Sequence, residues 1–224
     1  MVPSVTTAVV AWVTFTLSAG AASPPSAATI PPMIVNVMSG ADISPALVAA
    51  VLSEAEAIWR PSGISFNWRR APRVARSPGG EPAPYLPDRL LLTIGNNRGT
   101  ARDGRLPLGW IVFDAVTVPE QEIYVSHANA KAMMEAARGV VGLVDQMPTM
   151  QRDTLLARAM GRALAHELGH YLLASKAHSE RGLMKAVLTA VELFTPESTT
   201  LRLDASQRRA VVARLRGEPL VASR

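Results

Sequence analysis

Three of the chain's four histidines fall within thirteen residues, in the run His166-Glu167-Leu168-Gly169-His170 followed by His178. This cluster constrains the fold more than any other feature. Positions i and i+4 share one face of a helix, so His166 and His170 can aim two imidazoles at one point. Glu167, about 100° round the same helix, can bring a carboxylate beside that point. The pattern is the H-E-x-x-H zinc signature, in which the Glu serves as general base. A chain built around it needs a helix that ends soon after His170 and a return of the backbone toward the metal.

A catalytic zinc takes three protein ligands and keeps one position open. The helix supplies two, and His178, eight residues past His170, is the leading candidate for the third. Glu180 and Glu192 are its rivals. Glu192 lies twenty-two residues past His170 in Leu188–Phe194, a possible second helix, a spacing that suits zinc hydrolases of the gluzincin type. Ala174-Ser175-Lys176 is the expected end of the histidine helix, where the apolar run stops and a cation follows.

The segment HELGHYLLASKAHSERGLMKA resembles the active-site segment of the metzincin metallopeptidases, the matrixin-like branch in particular. Their pattern is H-E-x-x-H-x-x-G-x-x-H followed by a turn carrying a Met. The resemblance implies His166, His170 and His178 as zinc ligands, Glu167 as base and Met184 as the structural Met-turn residue. In this chain the third His comes two residues later than the pattern, and Leu173 stands where the pattern has Gly. The resemblance further implies a secreted, zinc-dependent (Zn2+) endopeptidase with a peptide or protein substrate lying along an edge strand, here Leu108–Phe113. A zinc-binding module without hydrolysis, or an interaction protein without metal, are the alternatives.

Periodicity gives the architecture. Met33–Met38 reads as a buried strand. Ser44 caps a helix to Trp59 with Pro45 at its first position and an apolar stripe from Leu47 to Trp59. Strands are expected at 64–68, 90–94, 108–113 and 122–125, with a turn near Pro119. Helices are expected from Ser126 to Ala137, from about Pro148 through HELGHYLL, and over Ala205–Leu215 behind Asp204. The expectation is an α+β fold: a twisted mixed sheet of about five strands, packed on the first helix and the zinc-binding helix, with a small helical C-terminal part. This order is similar to that of the metzincin N-terminal subdomain.

The boundaries expected are a signal peptide over 1–21, a Pro/Ser/Ala linker over 22–32, one domain over 33–216 and a tail over 217–224. Residues 5–17 are apolar and uncharged, too short for a membrane span, and Ala19-Gly20-Ala21 offers a cleavage site, so the protein reads as exported. The absence of cysteine excludes disulfides and thiolate ligands. The net charge of +5 rests on twenty Arg against three Lys. Arg69, Arg70, Arg73 and Arg76 are interrupted by Pro and lack interleaved aromatics, so they read as a solvated loop, and no nucleic-acid partner is expected. Trp59, Phe66, Trp68, Met133, Met134 and Met160 read as core, and His127 as a helix-start or surface residue.

Overall fold

The structure, a computed structural model, describes residues 30–71, 90–100, 106–114, 118–197 and 199–217. The expected signal peptide, most of the expected linker, Arg73, Arg76 and the residues beyond Gly217 lie outside them. No helix among the described residues is long and apolar enough to cross a membrane.

The chain forms an α+β fold with one five-stranded sheet. Strand β1 (Met33–Ser39) buries Val35 and Val37 by simple alternation. Helix α1 (Pro45–Trp59) starts where the Ser44 hydroxyl accepts the Leu47 N–H at 3.1 Å, and Pro45 occupies its first position. It buries Leu47, Val51, Ala55, Ile58 and Trp59 and ends in a 3-10 turn over Arg60–Ser62. Strands β2 (Phe66–Arg70), β3 (Leu90–Gly95), β4 (Gly109–Phe113) and β5 (Pro119–Ser126) complete the sheet in the order β2-β1-β3-β5-β4. All pairings are parallel except β4 with β5, so β4 is an antiparallel edge strand.

Two expectations are corrected. The second strand begins two residues late, because Ile64 is buried in the core but precedes the ladder, and Met33 pairs with Phe66. The turn near Pro119 is instead the start of β5, with Pro119 opposite Phe113. Proline lacks an N–H to donate, and the first residue of a strand tolerates that.

Helix α2 (His127–Ala136) is capped by Ser126 and followed by a short helix α3 (Arg138–Val141). Helix α4 (Thr149–Leu173) is 25 residues long and packs against α1, β4 and β5. Trp59, fully buried, stacks edge-on against Phe66 and donates its indole N–H to the Ala165 carbonyl at 3.1 Å. The first helix is thereby fixed to the fourth one residue before His166. Helices α5 (Ala190–Phe194) and α6 (Ala205–Leu215) form the C-terminal part, both with capping boxes, and Val211 of α6 is fully buried.

Candidate metal centre

The last two turns of α4 carry His166, Glu167 and His170. The helix runs through Leu173 and reverses at Ala174, whose φ of 47° and ψ of 45° are left-handed. The end of the helix therefore falls at Ala174, with Ser175 and Lys176 already beyond it. Residues 175–178 then bring His178 back to the helix. The rings of His166 and His178 lie nearly parallel with centroids 5.4 Å apart, and those of His170 and His178 meet edge-on at 4.9 Å. One nitrogen from each of the three histidines lies within 4.8 Å of the others.

The hydrogen bonds fix the tautomers. His166 Nδ1 faces the Leu183 carbonyl at 2.8 Å, and His170 Nδ1 faces the Ser175 carbonyl at 2.6 Å. A carbonyl only accepts, so both Nδ1 atoms carry the hydrogen and both Nε2 atoms present lone pairs. Those two Nε2 atoms are 3.0 Å apart. Two nitrogens bound to one tetrahedral ion at about 2.0–2.1 Å are separated by roughly 3.3 Å, so the pair is spaced for a shared cation. Three imidazoles, two of them oriented by backbone carbonyls, are a donor set that zinc accepts.

Burial disfavours the charged form of the two helical imidazoles. It lowers the pKa of His166 to about 4, offset in part by the Leu183 carbonyl and reinforced by His170 and His178. Burial likewise lowers that of His170, with the Ser175 carbonyl opposing. Glu167 is buried against the edge strand, and desolvation raises its pKa to about 8, partly countered by the Ile111 backbone N–H. A Cβ at Gly109 would meet Glu167 Cγ at 3.0 Å, so the bare backbone of β4 makes room for this carboxyl group.

Met184 is fully buried beneath the histidines. A Cβ built on Gly169 would overlap its Sδ, so the sulfur packs directly on the helix backbone between His166 and His170. The turn carrying Met184 is held by Ser179 N–H to Met184 carbonyl at 2.8 Å and Leu183 N–H to Arg202 carbonyl at 3.0 Å.

The rival ligands stand elsewhere. Glu180 is exposed and is not among the three converging groups. Glu192 takes Lys185 Nζ on both oxygens at 2.9 Å and closes the α5 capping box with Thr189, so the gluzincin arrangement is not formed. His127 hydrogen-bonds Asn96 at the start of α2. Trp59, Met134 and Met160 are buried core, as expected, while Trp68 and Met133 pack partly buried against it. A cleft of about 750 Å³ between α1 and strands β1 and β2 lies toward the opposite edge of the sheet from β4 and shares no residue with the histidines.

Three residues that position the site escaped the sequence reading. Gly169 was visible only as the fourth residue of the motif. Arg162, one turn before His166, is fully buried and ion-paired with Glu54 at 2.9 Å. Asn129 donates to the Arg98 and Pro107 carbonyls at 2.9 and 2.7 Å and so clamps both ends of the connection leading to β4. No sequence signal marks that role.

The chain matches no protein-family model and no curated protein.

Proposed function

We propose that the chain is an exported, zinc-dependent endopeptidase, a divergent metzincin-like enzyme of the matrixin-like kind. The observation that carries this reading is the convergence of three imidazoles beside a buried carboxyl group at an edge strand. His166, His170 and His178 would hold the ion. Bound there, zinc supplies Lewis acidity and lowers the pKa of water toward about 7.

The chain's own residues would do the rest. Glu167, whose raised pKa gives it appreciable proton affinity near neutrality, takes the proton from the attacking water and returns it to the leaving amine. The edge of β4 turned away from β5 offers backbone groups to an extended substrate, which lengthens the sheet by one strand. Leu108 pairs with Ser126 across β4 and β5, so alternation turns the groups of Gly109 and the Ile111 carbonyl outward, the Ile111 N–H being engaged by Glu167. Burial excludes bulk water from the Glu167 carboxyl group. Met184 provides an apolar floor that keeps the two helical ligands in register.

The third histidine arrives later than in the metzincin pattern, and the geometry accounts for part of that delay. The helix keeps Leu173 helical and reverses only at Ala174, so the return loop starts one residue further on.

The test combines zinc stoichiometry of the purified protein with cleavage of an unbiased peptide library. Zinc near one per chain together with Glu167-dependent cleavage supports the proposal. Zinc without cleavage leaves a zinc-binding module on the same fold, and absence of zinc overturns the metal centre.

A further inference from the structure

We infer that Lys185 and Glu192 form a positioning latch for the metal centre, fixing the turn that orients His166. The inference rests on the zinc reading above. His166 donates from Nδ1 to the Leu183 carbonyl, so the direction of its Nε2 lone pair is inherited from the turn over residues 182–185. The backbone of that turn is tied to Arg202 and to Ser179. Its side-chain tie is Lys185, whose ammonium bridges both Glu192 oxygens at 2.9 Å.

Glu192 is a firm anchor because it is itself held. Its carboxylate accepts the Thr189 N–H and hydroxyl at 2.8 and 2.9 Å. Its carbonyl accepts Arg162 Nη1 at 2.7 Å, and the same buried guanidinium reaches Glu54 through Nε at 2.9 Å. A path of short polar contacts therefore runs from α1 through Arg162 and Glu192 to Lys185 and the backbone that holds His166. A carboxylate already fixed by a capping box loses little freedom on receiving an ammonium, so the latch sets geometry more than it stabilises the fold. The pair is partly exposed, at 30% and 24% of side-chain surface, and such pairs contribute little to folding.

The experiment uses Lys185→Met, Glu192→Gln, the double variant and Lys185→Arg in the full chain loaded with zinc or cobalt(II). Glu192→Gln retains an N3 residue able to close the capping box, so its effect reports the ion pair. Zinc release to a chelator should accelerate about tenfold in Lys185→Met and in Glu192→Gln, as for partners that orient metal ligands. The double variant should be no faster than either single one, and Lys185→Arg should stay near wild type. The visible spectrum of the cobalt(II) protein should shift in the same three variants, while thermal unfolding of the metal-free proteins stays close to wild type.

Unchanged release and spectra in zinc-loaded variants would overturn the latch alone. Loss of zinc in Glu192→Gln with no effect of Lys185→Met would make Glu192 a ligand and also overturn it. A wild-type chain that binds no zinc removes the metal centre and the latch together.

Discussion

His166 and His170 face each other through unprotonated Nε2 atoms 3.0 Å apart, each with its Nδ1 engaged by a carbonyl oxygen. Two lone pairs at that distance repel unless a cation lies between them. The backbone at Leu183 and Ser175 thus presets both nitrogens for a shared cation, which the zinc reading proposed above would supply.

Glu167→Gln should keep zinc near one per chain and reduce kcat/KM by about 10²–10⁴, because the residue moves protons and does not ligate. Metal analysis alongside peptide hydrolysis checks this. Activity near wild type would remove the mechanism.

His178→Ala should weaken zinc binding by orders of magnitude, since two imidazoles hold a tetrahedral ion poorly. Glu180→Gln should leave affinity unchanged. A chelator competition titration compares them.

Gly169→Ala places a methyl group on the Met184 sulfur. The overpacking should cost about 1–3 kcal/mol of stability and weaken zinc binding with it. Adding Met184→Ala should recover part of the stability loss, measured by denaturant unfolding.

The metal-free protein should be most stable near pH 6.5 and lose stability on either side. His166 has a pKa near 4 when folded and 6.5 when unfolded, so its contribution falls as pH drops below 6.5. Glu167 has a pKa near 8 when folded and 4.5 when unfolded, so its contribution falls as pH rises above 4.5. Between pH 4.5 and 6.5 these two slopes oppose each other, and His170, its pKa also lowered by burial, adds to the His166 arm, so stability rises with pH up to 6.5. Above pH 6.5 only the Glu167 decline remains, and Glu167→Gln should abolish it. Urea unfolding of chelator-treated protein across pH 4–8 tests both arms.

Ala174 is the only described residue other than glycine with a positive φ. A left-handed alanine costs about 1–2 kcal/mol against glycine, so Ala174→Gly should raise stability by roughly 1 kcal/mol after the entropy of the unfolded glycine is subtracted.

Much of this was legible in the chain. The i, i+4 histidines need only a helix to become neighbours, so their meeting follows from local geometry. Ser44-Pro45 and Asp204 announced their helices because caps act over three residues. Parallel pairing was not legible, since no turn joins β1 to β2 or β3 and the order of strands depends on packing over α1 and α4. Pro119 misled because the same residue opens a turn or a strand. Glu192 could be placed as ligand or scaffold only once the fold had set Lys185 beside it. Asn129 was invisible for the same reason, since its partners at Arg98 and Pro107 lie 31 and 22 residues away.

The Asn129 clamp carries a consequence for how such a chain can change. One amide grips the connection at Arg98 and again at Pro107, just before β4 begins. The register of the edge strand is thus set from outside the stretch between those two carbonyls. Segments of different length can be spliced into that stretch at only a small entropic cost per added residue. The two contacts hold the start of β4 whatever length of chain lies between them, so that stretch can change without disturbing the histidines.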